Sequence, residues 1–266
     1  MTNKKNISLS EILGFYYSGK TPVEIAELLS CTLSNITKRL KRSGVSFHRD
    51  YTKTRYSRKG RYSINESFFD CIDTPEKAYF LGLLYADGSV TEKGFYIKLK
   101  DEDILLRLKE CMRSEHPVNR IYYGGHSAYI FTVGSKMLAS ALIYHGCVPN
   151  KTRCLRLPTL DSKLYRHFIR GFYDGDGSLI LHREFCKSQF NLTSASLSFL
   201  KELSPIIESV SSGKGSISKE TLYDVWHLRF CGKKVAKIMD WLYTDTSLYL
   251  KRKYRKYLML GPLKTG

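Results

Sequence analysis

The stretch YFLGLLYADG, Tyr79 to Gly88, recurs in outline as FIRGFYDGDG, Phe168 to Gly177. Gly82, Asp87, Gly88 and Ser89 match Gly171, Asp176, Gly177 and Ser178 at one constant offset. A duplication constrains the fold more than any single motif, because two similar units must pack into one body. Each stretch is apolar enough for a buried helix, yet each ends on a carboxylate followed by glycine. Asp73 or Thr74 can cap the first helix, with Pro75 in its opening turn. Gly82 and Ala86 lie four apart, as do Gly171 and Gly175, so each pair shares a helix face. Small residues at that spacing let two backbones approach closely. These four residues therefore define an expected helix–helix interface, with Asp87 and Asp176 side by side at one end.

That placement costs electrostatic energy. A helix C-terminus already carries partial negative charge, and a second carboxylate nearby adds repulsion. A bound divalent cation resolves the conflict. Carboxylates, with the backbone carbonyls of Ala86 and Gly175 and water, form a hard oxygen set suited to Mg²⁺. Such an ion activates water and stabilises a leaving oxygen in phosphodiester hydrolysis. One Asp-Gly would be only a turn signal. Two copies, each ending a helix with small residues at the seam, carry the inference.

The sequence after each motif repeats too. GFYIKLKDEDILLRLKECM and SQFNLTSASLSFLKELSPII each read as a strand running into a helix. YIFTVGSKMLASALIYHG and WHLRFCGKKVAKIMDWLY read as strand, glycine, helix. The expected fold class is α+β, with two pseudo-symmetric αββαββα halves over residues 65–157 and 158–266. Alternation places Phe95, Ile97 and Leu99 opposite Tyr96, Lys98 and Lys100, and Phe190 and Leu192 opposite Gln189, Asn191 and Thr193. Near the end, Trp226, Leu228 and Phe230 oppose Tyr223, His227 and Arg229. Half-buried antiparallel sheets with polar outer faces would form a saddle, and Lys, Arg, Gln and Asn are residues that read base edges. Lys214 joins this set of expected DNA contacts.

Residues 1–45 read as a separate small all-α domain. Ile25, Leu28 and Leu29 mark one helix, with Thr21 as cap and Pro22 at its first position. Leu33, Ile36 and Leu40 mark the next, which Gly44 would stop. Ser34, Asn35, Lys38, Lys41 and Arg42 lie away from that apolar stripe. Two short helices with a polar, basic second member match the helix-turn-helix pattern, whose second helix enters a major groove. Residues 46–64 form a basic linker, in which Arg55, Arg58, Lys59 and Arg61 can track phosphates or serve as a solvated tether.

The formal net charge of +18 points to a polyanionic partner, and nucleic acid is the leading class. No early apolar stretch resembles a signal peptide, and no apolar run is long enough for a membrane span. An intracellular location, cytoplasmic or nucleoid-associated, is expected. Seven scattered cysteines without a CxxC pair argue against a disulfide framework and a structural zinc site.

FLGLLYADG and IRGFYDGDG resemble the paired signature motifs of the LAGLIDADG homing endonucleases, over about residues 65 to 257. The resemblance implies that the motif helices join two pseudo-symmetric halves and that Asp87 and Asp176 coordinate catalytic metal ions. It implies a monomer acting on double-stranded DNA at a long asymmetric or pseudo-palindromic site, in intron or intein homing. By the same resemblance PNKTRCLRLP nominates Lys151, and LKRKYRKYL nominates Lys251 or Lys253, with Lys100 at the end of the first hairpin. Tyr85 stands where an acid is expected two positions before Asp87, whereas Asp174 keeps that acid. The rival reading is a non-cleaving transcriptional regulator or an intron RNA maturase on the same scaffold.

Overall fold

The computed structural model describes residues 7–18, 20, 22–43, 62–123, 126–149 and 151–263. The chain divides into two compact units, Met1–Arg58 and Lys59–Gly266.

The first unit holds α1 (Leu9–Tyr17), α2 (Pro22–Leu28) and α3 (Leu33–Arg42). Ser8 caps α1, its Oγ accepting from the Glu11 N–H at 3.1 Å. Ile12, Ile25, Ala26, Ile36 and Leu40 form a small buried core. Two positions expected inside lie outside: Leu28 is 55% and Leu33 39% exposed. Both sit at helix ends, where the chain turns away from a core supplied by only three short helices. Thr21, Gly44 and residues 46–61 of the basic linker fall outside the described residues.

The second unit opens with α4 (Pro75–Asp87), capped by Thr74, whose Oγ1 accepts from the Lys77 N–H at 3.3 Å. Then come β1 (Gly88–Thr91), β2 (Gly94–Leu99), α5 (Glu102–Cys111), β3 (Val118–Tyr123), β4 (His126–Val133) and α6 (Lys136–Tyr144). The second half repeats the order as α7 (Tyr165–Asp176), β5 (Gly177–Ile180), β6 (Gln189–Ser194), α8 (Leu197–Ser211), β7 (Ser216–Lys219), β8 (Trp226–Cys231) and α9 (Lys233–Tyr243). A final helix, α10 (Lys251–Leu263), follows. Both halves are αββαββα, and the fold is α+β as expected.

Each half forms a four-stranded antiparallel sheet, ordered β1-β2-β4-β3 and β5-β6-β8-β7. The registers correspond: Gly88 pairs with Ile97 and Ile97 with Phe131, while Gly177 pairs with Leu192 and Leu192 with Leu228. In the first sheet Val90, Phe95, Ile97, Leu99, Phe131 and Val133 point inward. Leu179, Phe190, Leu192, Leu228 and Phe230 do so in the second. The strand period of two leaves the intervening residues on the other face. Helices α4, α5 and α6 cover the first sheet, and α7, α8 and α9 cover the second. One continuous apolar core runs through both halves.

The α4–α7 contact joins them. A Cβ on Gly82 would land on the Phe168 carbonyl, and one on Gly171 would land on the Tyr79 carbonyl. Backbone therefore meets backbone, and no larger residue fits without moving a helix. Closer to the C-terminal end, the space beside Gly175 is occupied by the Ala86 Cβ and the Asp87 carboxylate.

Candidate active site

Both motif helices pass directly into strands. The Gly88 N–H bonds the Leu84 carbonyl and the Gly177 N–H bonds the Tyr173 carbonyl, which closes the last turn of each helix. A Cβ at either glycine would press within 2.6 Å of that same carbonyl oxygen. Glycine here allows an abrupt helix-to-strand change, which leaves the preceding aspartate on the rim. Asp87 is half-buried, and Asp176 is exposed.

Burial raises the Asp87 carboxyl above the usual range, offset in part by Arg252, Lys253 and Lys151. Asp176 is raised by burial and by the charge of Asp87, with Lys151 and Lys253 opposing. The two acids therefore sense each other across the seam. Two hard carboxylates with residual repulsion and an open edge fit a divalent cation. Among the described residues, no three His, Cys, Asp or Glu side chains cluster as a ligand set. With two protein carboxylates, much of the shell would fall to water and phosphate oxygens, a common arrangement for Mg²⁺.

One lysine serves each half. Lys151, in a short 3-10 turn (Lys151–Arg153), donates to the Gly88 carbonyl. Lys253, in the first turn of α10, donates to the Gly177 carbonyl. Each ammonium thus binds the residue that follows its half's terminal acid. Lys253 is only 8% exposed, and burial pushes its amine down to about 8. Lys251, the other nominee, pairs with Asp103 at 3.0 Å on an exposed surface. Lys100 is exposed just after β2. Sequence reasoning passed over Arg252. Its Nε donates to Asp101 at 2.9 Å, and it is the foremost charge opposing the rise at Asp87. The signal was its place between the two nominated lysines.

The position two before each acid differs between the halves. Asp174 is wholly buried and accepts from the Tyr79 hydroxyl at 2.8 Å, the Leu250 N–H at 2.8 Å and the Tyr243 hydroxyl. Burial nevertheless lifts its carboxyl to about 6. Tyr85 instead donates to the His145 carbonyl at 2.5 Å.

On the outer sheet faces, Tyr96 and Lys98 are exposed, paired with Thr132 and Ile130. Gln189, Thr193 and Arg229 are half-buried. The Thr193 hydroxyl lies 3.1 Å from His227 Nδ1, and Glu220 lies 3.3 Å from His227 Nε2. Asn191, expected outward and free, is 6% exposed. It sits on a central strand between Ser178 and Arg229, and its amide donates to the Ser178 hydroxyl at 3.4 Å. Tyr223, expected on a strand, lies in the turn before β8 and is largely exposed. Lys214 is exposed just ahead of β7. In the first unit, Ser34, Asn35, Lys38 and Arg42 are all exposed on α3. Arg55, Arg58, Lys59 and Arg61 lie outside the described residues. No helix among the described residues is long and apolar enough to cross a membrane.

Residues 163–239 match the family model of the LAGLIDADG-like domain. That match covers the second motif helix and the second sheet. No curated protein matches the chain by sequence. Among solved structures, variants of the homing endonuclease I-DmoI align at 13% identity over 74% of this chain and 99% of theirs, with a TM-score of 0.48. Full-length DUF199/WhiA from Thermatoga maritima aligns at 13% identity over 76% of this chain and 73% of its own, also at 0.48. The meganuclease I-SmaMI, bound to uncleavable DNA, aligns at 14% identity over 70% and 87%, at 0.45.

Proposed function

We propose that this protein is a site-specific, metal-dependent endonuclease that hydrolyses one phosphodiester in each strand of a DNA duplex. The observation that supports this most is the doubled constellation at the seam. Two helices packed through glycine each deliver a terminal carboxylate, and each half adds a lysine on the adjoining carbonyl. A lone DNA-binding scaffold has no use for two destabilised acids held against each other.

In this reading Asp87 and Asp176 hold Mg²⁺, which when bound supplies Lewis acidity at a phosphate oxygen and acidifies a water. The carbonyls of Ala86 and Gly175, each one residue before an acid, would add backbone oxygens to that set. Lys151 and Lys253 attract the scissile phosphates and offset charge that builds on their oxygens. Lys253 donates to the Gly177 carbonyl, which suits a fixed charge rather than a base. Arg252, tied to Asp101, adds a further cation beside Asp87.

The outer faces of both sheets supply the DNA contacts. The two faces carry different side chains, which favours an asymmetric site, and one chain holds both acids, which favours a monomer. In the first unit, the exposed Ser34, Asn35, Lys38 and Arg42 of α3 offer a further surface for DNA.

The test is selection of cleaved duplexes from a random library with Mg²⁺, repeated with Asp87→Asn and Asp176→Asn. Cleavage by the parent alone, lost on chelation, is expected. Tight duplex binding without cleavage in any divalent metal would overturn the enzyme reading and leave the regulator.

A further inference from the structure

The two residues that precede the terminal acids by two positions are buried and polar, and neither faces the metal site. What they hold is informative. The Leu250 N–H donates to Asp174 at 2.8 Å, and the Leu250 carbonyl accepts from the N–H groups of Lys253 at 2.9 Å and Tyr254 at 3.0 Å. Leu250 is therefore the hinge point on which α10 starts. The same turn is gripped a second time: Arg170, also buried, donates through Nε to Leu248 at 2.8 Å and through Nη1 to Leu242 at 3.1 Å. From this turn Lys253 reaches back to the Gly177 carbonyl, next to Asp176. The path Asp174–Leu250–Lys253–Gly177 thus leaves the motif helix and returns to its end.

The first half closes a similar loop with different chemistry. Tyr85 donates to His145, the residue that ends α6, and the Cys147 thiol donates to the Leu84 carbonyl at 3.6 Å. From there the chain leads to Lys151 and the Gly88 carbonyl.

We infer that Asp174 and Tyr85 are positioning residues, each fixing the chain segment that carries the lysine of its own half. The role of the lysines in cleavage rests on the endonuclease reading, but their placement does not. A buried carboxylate with three donors sets the start of α10 and leaves the Lys253 ammonium a single seat. Tyr85 sets the segment ahead of Lys151 through one hydroxyl.

Two readouts on the full chain separate the claims. The first is acetylation by acetic anhydride at neutral pH, read at each lysine by mass spectrometry. Asp174→Asn should raise labelling of Lys253 about 10-fold and leave Lys151 within about two-fold, the scale on which outer partners tune a functional group. Tyr85→Phe should do the reverse. Equal gains at both lysines, or none at either, would overturn the inference. The second readout is cleavage of target duplex. Asp174→Asn should lower kcat about 10-fold or more, and Lys253→Met should cost less in that background than in the parent, since coupled residues are not additive. An additive loss, or a change in KM alone, would count against it. If the parent cleaves no DNA yet the labelling shifts as expected, the positioning role stands and the endonuclease reading falls. Should Asp174→Asn fail to fold, Tyr85→Phe decides the matter by exposing Lys151 alone or not.

Discussion

The two halves arrive at one geometry by unlike means. At the seam and at the helix ends they are near copies: glycine on backbone, aspartate on the rim, lysine on the next carbonyl. Just behind that front they diverge. The second half uses a buried acid, its own Tyr243, a buried arginine, and Tyr79 reaching in from the first half. The first half uses one tyrosine and a thiol. The difference teaches where the tolerance lies. The rim acids and the lysines beside them repeat closely, while the anchor behind them needs only to hold a chain segment still.

The sharpest way to break this comparison is to remove either rim acid. Asp87→Asn and Asp176→Asn should each reduce double-strand cleavage about a thousandfold, the scale of losing one preorganised charge, with duplex binding retained. Linearisation of a target plasmid and a gel-shift titration measure the two. A variant that still linearised the plasmid would show that the halves are not jointly required.

Next in size are the anchors. Asp174→Ala leaves three buried donors without an acceptor and should destabilise the chain by about 3–5 kcal/mol. Tyr85→Phe strands one carbonyl and should cost about 1–2 kcal/mol. Urea unfolding compares them, and equal losses would erase the proposed contrast between the halves.

The seam offers a test in which the halves should agree. Gly82→Ala and Gly171→Ala each drive a methyl into a backbone carbonyl, and each should cost about 3 kcal/mol, the upper range for overpacking. Gly175→Ala meets side chains instead, so its stability loss should be smaller while its effect on cleavage, through the displaced Asp87 carboxylate, should be larger. Thermal melts and cleavage rates measured together sort these outcomes.

The smallest effects belong to the sheet faces. Lys98→Ala in the first sheet and Arg229→Ala in the second should each lower the salt dependence of duplex binding by about one unit of slope if they meet phosphates. A loss of preference at one base position, with the slope unchanged, would assign that side chain to base reading.

Much of this was legible in the chain. The seam, the rim acids and the succession of helices and strands along each half all follow from one duplicated pattern, because helix spacing and strand alternation impose simple periods. The anchors were not legible. Tyr85 reads as a missing acid until its hydroxyl is seen on His145, a partner far along the chain. Choosing among Lys251, Arg252 and Lys253 requires the phase of α10, which is set by Leu250 on Asp174 and not by local propensity. Asn191 looks like any alternate polar strand residue, and only its central place between Ser178 and Arg229 covers it. Leu28 and Leu33 fit a helical stripe by period but fall at helix ends, beyond the reach of so small a core.

The seam also governs the order in which the molecule can be built. Tyr79 and Asp174, bonded across it, are 95 residues apart in sequence. As the chain leaves the ribosome, α4 and its sheet can form while the partner helix is still unmade. For that interval the glycine-lined flank of α4 has no cover, and closing so long a loop is slow. The first half must therefore wait in a sticky, half-finished state. Synthesis at a low rate per cell, or a chaperone at hand, would matter more to the yield of this protein than to one whose contacts are local.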